Sequence, residues 1–292
     1  MRRSLVERSG GVVVWKPVGC TSRDALEEAE RRLGFGPLGH TGTLDPLACG
    51  VLVLLGGEGR KLQALLTAHV KEYEARIALG LCSASDDGEG PLWCVTPRPA
   101  LPQRAEVGRC VATFEGDLEQ VPPALSAVRV DGERAHRRVR RGEAVAVPPR
   151  RVRIERLEVV DWRPPILELR VTCGPGTFVR SLARDLGARL GTGGCLVGLR
   201  RTRVGAFVEA DAVPVALLSP SHWLPVERLA QGLPAVQIEA GTAQRLAHGQ
   251  RVPVEDAAAL PNGVAIAWCL GRAVGVVEVE GGLIRPRRAL HP

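Results

Sequence analysis

The densest chemistry in this chain lies in eight consecutive residues, Gly39-His40-Thr41-Gly42-Thr43-Leu44-Asp45-Pro46, between a candidate helix and a candidate strand. The glycines let the backbone approach a ligand closely, and Pro46 fixes the exit from Asp45. Such a loop can cradle a phosphate. It can equally be a turn in which Asp45 satisfies nearby backbone N–H groups, and composition alone favours the turn. No Gly-Lys-Ser/Thr follows, which excludes a P-loop. Tyr73 is the only tyrosine in 292 residues. A phenol donates, accepts and is a weak acid, and its ring can stack on a base; the other reading is a half-buried strand residue. Thr177-Phe178-Val179-Arg180 follows Cys173-Gly174-Pro175-Gly176 and opens a candidate helix. Phe178 and Arg180 leave that helix on different faces, yet both reach a cleft from its first turn. Arg180 is placed to pair with a carboxylate such as Asp45. A serine nucleophile elbow, Gly-x-Ser-x-Gly, is absent.

Residues 129–156 hold ten arginines against Asp131, Glu133, Glu143 and Glu155, so this segment carries +6 of the chain's +7. Clustered positive charge is the electrostatic footprint of nucleic-acid binding; an arginine-rich solvated face is the alternative. Lysine occurs only at 16, 61 and 71, so nearly all of the 39 basic residues are arginine. Codon bias in a GC-rich genome produces that pattern, although the guanidinium fork also suits phosphate. The eight cysteines show no C-x2-C spacing, and no histidine follows at a zinc spacing. They read as reduced, small apolar residues, and a structural zinc site is not expected. The aliphatic run 51–55 is far shorter than the roughly 20 residues of a membrane span. No apolar stretch follows Arg2 and Arg3 as in a secretory signal. A cytoplasmic chain, monomeric and without a membrane segment, is the expectation.

Elements must position these residues. Gly-Val-Val-Val-Trp at 11–15 reads as a short buried strand, and 16–22 as a loop. Thr21 or Ser22 caps a helix reaching about Leu33, with Gly34 as its stop. Period-2 and apolar runs predict strands at 50–55, 73–79, 151–161, 166–173 and 196–204. Helices are predicted at 60–69, 103–113 and 177–190, and 82–104 is mostly connection. A strand at 126–130 would turn at Asp131-Gly132. Strands and helices alternate irregularly, which favours an α+β fold with a mixed sheet. Pro214, Pro220, Pro225 and Pro234 mark a boundary near 209–235. Beyond it, a helical patch at 240–247 and short strands at 264–270, 273–279 and 283–286 suggest a small β-barrel or open roll.

Six stretches, in order, closely resemble the TruB family of tRNA pseudouridine synthases. Lys16-Pro-Val-Gly-Cys-Thr-Ser22 is similar to the family's K-P-x-G-x-T-S segment, and Gly39–Pro46 to its G-H-x-G-x-L-D-P loop. Lys71-Glu-Tyr73 resembles the K-x-Y motif, and residues 120–132 the segment beside the substrate. Gly176-Thr-Phe-Val-Arg-Ser-Leu182 resembles G-T-Y-I-R-S-L, and Leu199-Arg-Arg-Thr202 resembles L-R-R-T. The resemblance covers residues 10–207, and the tail from about 236 looks like a PUA RNA-binding module.

It implies a pseudouridine synthase fold over 1–230, with a mixed, mainly antiparallel central sheet, and a PUA-like domain over 231–292. It also implies isomerisation of uridine 55 in the T-loop of tRNA, by base flipping and without a cofactor. Asp45 would be the nucleophile, attacking C1′ or C6 or promoting a glycal. Arg180 would hold Asp45 ionised and aimed. Tyr73 would stack on the flipped base and help remove the C5 proton. His40 would fill the space left by the uridine or make a loop hydrogen bond. Leu199 would wall the pocket, and Lys16 would support its loop or contact phosphate. The arginines of 129–156, with Arg2 and Arg3, would contact the T-arm phosphates, and the tail the acceptor stem. Three positions depart from the family. Phe178 and His136 replace tyrosines, which removes a hydroxyl beside Arg180 and an inferred packing or RNA contact; Arg129 replaces a lysine and keeps its charge. Another RNA target, or a non-catalytic RNA-folding protein using the same cleft, are the competing readings. A small-molecule enzyme leaves the +6 segment unexplained.

Overall fold

The computed structural model describes residues 8–253 and 262–291; Arg2 and Arg3 lie outside the described residues. The chain forms two compact units. Unit 1 comprises residues 1–44, 50–69 and 204–292, and unit 2 comprises 45–49 and 70–203.

In unit 1, β1 (Gly10–Lys16) runs antiparallel to β3 (Ala48–Gly56), with Val12 opposite Leu54 and Val14 opposite Leu52. The short β2 (Leu38–His40) also pairs with β3. β1 and β3 are buried almost throughout, which is why both read as continuous apolar runs. α1 (Ser22–Leu33) begins at a capping box. The Thr21 hydroxyl accepts the Asp24 N–H at 3.1 Å, and the Asp24 carboxylate accepts the Thr21 N–H at 2.8 Å. Its apolar stripe, Ala25, Leu26, Ala29 and Leu33, packs on Val12, Val14, Leu52 and Leu54. The helix predicted at 60–69 is instead a 3₁₀ helix (Gly57–Leu62) followed by the short α2 (Gln63–Thr67). Gly57 and Gly59 are weak helix formers and only the tighter, shorter coil forms there.

The tail of unit 1 is a five-stranded sheet in the order Ala235–Gln237, Gly263–Cys269, Arg272–Glu280, Leu283–Ala289, Val252–Pro253. Its first pair is parallel and the rest antiparallel. The sheet encloses Val236, Leu246, Val252, Ala265, Val277 and Ile284, in keeping with the PUA-like roll expected. Ile266, Ala273, Val276 and Leu290 join a different cluster, shared with Val13, Val51, Val53 and Leu55.

Unit 2 is built on five strands: β4 (Lys71–Leu79), β7 (Gly116–Gln120), β10 (Arg150–Arg163), β11 (Ile166–Cys173) and β12 (Gly194–Val204). Their order is β12-β4-β11-β10-β7, and β4–β11, β11–β10 and β10–β7 are antiparallel. β4 alternates cleanly, with Tyr73, Ala75 and Ile77 buried and the residues between them turned outward. Between these strands come β5 (Leu81–Ser83), β6 (Leu92–Cys94) and α3 (Arg104–Ala112). The strand predicted at 126–130 is reduced to β8 (Arg129–Val130), paired with β9 (Glu133–Arg134). Asp131 (φ 54°) and Gly132 (φ 83°) make the tight turn expected between them. α4 (Ala135–Arg140) follows. α5 (Val179–Arg189) starts two residues later than predicted, because Phe178 is extended, at φ −105° and ψ 110°. The α+β class and the mainly antiparallel sheet agree with the sequence reading. Among the described residues no helix is long and apolar enough to cross a membrane.

Candidate active site

Asp45, Tyr73, Phe178 and Arg180 all belong to unit 2, and the fold brings Asp45 and Arg180 into contact. Arg180 is the second residue of α5 and is 5% exposed. Its Nη2 donates to Asp45 Oδ1 at 3.2 Å, and its Nε stands 2.9 Å from Asp45 Oδ2, off the line of a hydrogen bond. Nη1 lies 3.4 Å from Asp87 Oδ2. The guanidinium also donates to the backbone carbonyls of Ser85 at 3.1 Å and Leu125 at 3.2 Å. One buried cation is thus clamped between two carboxylates of different character. Asp87 is buried, with its Oδ1 accepting from the Ser85 hydroxyl at 2.6 Å and the Glu89 N–H at 3.1 Å. The Asp45 side chain keeps about a third of its surface open, at 35%. Asp45 therefore combines a fixed orientation with access, which a nucleophile or a charge stabiliser requires.

The seat of α5 explains this precision. Gly187 lies so close to β12 that a Cβ there would stand 2.1 Å from the Gly194 nitrogen. At the other end, Gln120 on β7 takes both backbone groups of Phe178: its Oε1 accepts the N–H at 2.8 Å and its Nε2 donates to the carbonyl at 3.1 Å. Val179, Leu182, Ala183 and Leu186 are buried beneath the helix.

Tyr73 projects to the buried side of β4, opposite Val171. Burial pushes its phenol above the ordinary value, a hydrogen bond and the charge of Arg201 pull it down, and Asp45 lies near enough to push it up. Arg201, on β12, is itself almost fully buried. Lys71, also on β4, is pushed down to about 8, first by burial and then by the charge of Arg201. Glu89 is raised by burial and then by Asp87 and Asp45. Carboxylates thus outnumber the single Arg180 guanidinium here.

The other sequence-derived residues are placed as follows. Leu199 is half-buried on β12. Arg129 is exposed in the β8–β9 hairpin, its Nη1 3.4 Å from the Gly132 carbonyl. His136 bonds through Nδ1 to the Ser126 carbonyl at 2.8 Å. His40 and Lys16 belong to unit 1. His40 is half-buried, and its Nδ1 accepts the Gly42 N–H at 3.4 Å, the loop hydrogen bond that was one of its two expected roles. Lys16 is 0% exposed and donates to the carbonyls of Pro17 at 2.8 Å and Cys20 at 2.6 Å. Of its two expected roles, this geometry serves loop support. Among the described residues no group of three or more His, Cys, Asp or Glu is placed to hold a metal ion.

Sequence reasoning missed Asp87, Gln120 and Arg201. For Asp87 the one signal was an adjacent pair of carboxylates before a glycine, Asp86-Asp87-Gly88, in a stretch read as connection. Gln120 and Arg201 stood inside resembling segments without an assigned role.

Residues 30–179 match the model for the TruB family pseudouridylate synthase N-terminal domain. Residues 180–233 match that of the tRNA pseudouridylate synthase B C-terminal domain, and 234–290 that of the pseudouridine synthase II TruB C-terminus. The chain is 42% identical over 291 residues to the tRNA pseudouridine synthase B of Thermobifida fusca (strain YX), covering 95% of this chain and 97% of that one. It is 40% identical over 283 residues to the enzyme of the same name from Corynebacterium aurimucosum, covering 94% of each. Among solved structures, a Cbf5–Nop10–Gar1 complex aligns with a TM-score of 0.73 at 22% identity, over 97% of this chain and 85% of that chain. An archaeal box H/ACA Nop10–Cbf5 complex aligns at 0.72 and 21%, over 97% and 86%, and these two likenesses speak to the fold alone. With the Asp45–Arg180 pair at its centre and three successive family models along its length, the chain belongs to the TruB family of pseudouridylate synthases.

Proposed function

We propose that this tRNA pseudouridine synthase isomerises the T-loop uridine at position 55 of tRNA, with Asp45 as its nucleophile. The observation that carries the reading is the Asp45–Arg180 pair: an open carboxylate aimed by a buried guanidinium that Asp87 and two carbonyls hold still. The reaction breaks the N1–C1′ bond, turns the base and forms C5–C1′; C5 loses a proton and N1 gains one. Asp45 attacks C1′ or C6, or promotes a glycal, and each route needs an ionised carboxylate beside the flipped nucleotide. The buried, neutral Tyr73 ring stacks on the flipped base. Its oxygen takes part in removing the C5 proton, and Arg201 favours the phenolate this needs. Flipping costs a few kcal/mol, less in a strained loop than in a duplex.

The arginine-rich segment positions the T-arm through its phosphates, and residues 231–292 contact the acceptor stem as a PUA-like domain. The chain acts as a monomer in the cytoplasm, where its substrate is. To test this, an unmodified tRNA transcript is incubated with wild type and with Asp45→Asn, and pseudouridine is mapped by mass spectrometry. The expected result is modification at the T-loop uridine by wild type alone, with tRNA binding retained by both. Tight binding by both with modification by neither would point to a non-catalytic RNA-folding role.

A further inference from the structure

Four of the ten arginines in the arginine-rich segment are ion-paired. Arg138 pairs with Asp131 and Glu143, Arg141 with Glu133 and Glu143, Arg153 with Asp117, and Arg156 with Glu158. Six arginines of the segment, Arg150 among them, make no ion pair among the described residues, and Arg150 differs from the other five in that its Nε is shielded from solvent without a hydrogen-bond partner. It opens β10 directly opposite Gln120, and its guanidinium lies 5.8 Å over the centre of the Phe178 ring. Phe178 in turn is fixed through both backbone groups by Gln120, and two residues later comes the guanidinium that holds Asp45. An uncompensated cation therefore lies against the residue that caps the helix carrying Arg180.

We propose that Arg150, laid against Phe178, is a ligand for one backbone phosphate of the RNA within a nucleotide or two of the flipped uridine. The inference rests on the reading of this chain as an RNA-modifying enzyme. Arg150 is half-buried, and a shielded Nε with an unmade hydrogen bond beside an uncompensated charge is unfavourable in the RNA-free protein. A phosphate offers charge-assisted acceptors that match the planar fork. Contact with an aromatic face restrains the guanidinium, and its Nη groups, unlike Nε, are not among the shielded atoms and can take the phosphate. The ring alone does this work, so the hydroxyl missing at position 178 is not needed. Four arginines of the segment have carboxylates to satisfy them; of those that do not, Arg150 is the one held against Phe178, beside the Asp45–Arg180 pair.

A T-arm stem-loop RNA is the probe, with single phosphates replaced in turn by neutral methylphosphonates. For wild type, one replacement beside the target uridine should raise Kd roughly tenfold. Arg150→Gln should raise Kd for the unmodified RNA by about the same factor, and that replacement should then add little. Its log Kd against log salt slope should fall by about 1. The loss should fall on affinity, with kcat at saturating RNA reduced by less than about threefold, and Arg150→Lys should recover part of it. Phe178→Leu should weaken binding in the same direction, and the double variant should bind no worse than Arg150→Gln alone. A wild type that modifies the RNA but shows a flat methylphosphonate scan around the target overturns the inference. So does an Arg150→Gln protein with unchanged Kd and salt slope. Either outcome leaves the activity standing, whereas a wild type that modifies no uridine overturns the proposed function as well.

Discussion

Arg180 has two carboxylate partners and two carbonyl partners at once, and of the two carboxylates Asp45 is the open one. Asp87 therefore acts through Arg180. Asp87→Asn keeps the shape but halves the negative charge facing the guanidinium, and Arg180 is then free to drift from Asp45. We expect kcat to fall about 100-fold, the usual penalty of a misplacement near 1 Å, with the tRNA Kd changed less than about threefold. Equal losses in kcat and affinity would show a merely structural role. Tyr73→Phe keeps the ring and removes the oxygen; single-turnover rates should fall at least about 100-fold if that oxygen takes part in proton removal. A variant at near wild-type rate would leave stacking as its only contribution. Lys71 gives a prediction in pH. Its folded value of about 8 lies below the ordinary 10.5, so below pH 8 the folded state carries an unfavourable charge. Between 8 and 10.5 the unfolded chain binds more protons, so stability contributed by this group rises with pH. The stability of wild type relative to Lys71→Met should increase by about 2 kcal/mol from pH 8 to pH 10, read by urea denaturation. A flat difference would show that burial costs the Lys71 ammonium less than its lowered value implies. At this scale the pairing of Arg180 with Asp45 was legible from the residues, while the roles of Asp45, Tyr73 and Arg180 came from the family resemblance and remain our proposal. Asp87, Gln120 and Arg201 were not legible, since each works only through a residue distant in the chain.

Elements were legible where one period dominated. β4 and β11 alternate in and out and were found from that pattern, and α1 carries its own start and stop signals. The failures share a cause: tertiary contacts overrode local preference. Phe178 belongs to a helical run, yet Gln120 takes its N–H and carbonyl, so the helix begins at Val179. The segment 126–130 is mostly unpaired because the Ser126 and Val128 carbonyls accept from His136 and Ala135 and not from a neighbouring strand. The close seat of α5 on β12 yields the test at this scale. Gly187→Ala places a methyl group against backbone atoms of Gly193 and Gly194, which cannot turn aside as a side chain can. It should destabilise the protein by about 1–3 kcal/mol and, by lifting the helix that carries Arg180, lower kcat as well. A variant stable to within about 0.5 kcal/mol would show that α5 has room to shift without harm. Alanine at the exposed helical position Gly108, where a Cβ meets nothing within 4 Å, is the control.

On the scale of the whole molecule, sequence suggested a catalytic body and a separable tail, and that division remains our proposal for how the work is shared. Packing adds a constraint that composition could not reveal. Ile266, Ala273, Val276 and Leu290 of the tail share one buried cluster with Val13, Val51, Val53 and Leu55, residues more than two hundred positions earlier. Lys61 reaches the Ala289 carbonyl at 2.8 Å, and the His291 N–H reaches Glu58 at 2.7 Å. The tail is thus part of the core of unit 1. Each such aliphatic side chain contributes about 1.5–3 kcal/mol when buried, against a total stability of roughly 5–15 kcal/mol for a typical protein. Removing residues 231–292 should therefore do more than weaken RNA binding. The shortened chain should lose cooperative thermal unfolding or aggregate, as read by calorimetry and light scattering, and its activity should fall with its folded fraction. A monomeric 1–230 chain that melts cooperatively within about 5 °C of wild type would mean that the β1–β3 core closes by itself. In that case the tail could be treated as an RNA-binding accessory, and loss of tRNA affinity in the shortened chain would measure its contribution directly. The prediction of unfolding rests on eight named side chains. Replacing Ile266 and Val276 by alanine in the full chain should reproduce a smaller part of the loss, about 2–5 kcal/mol for the isoleucine if its cavity does not collapse.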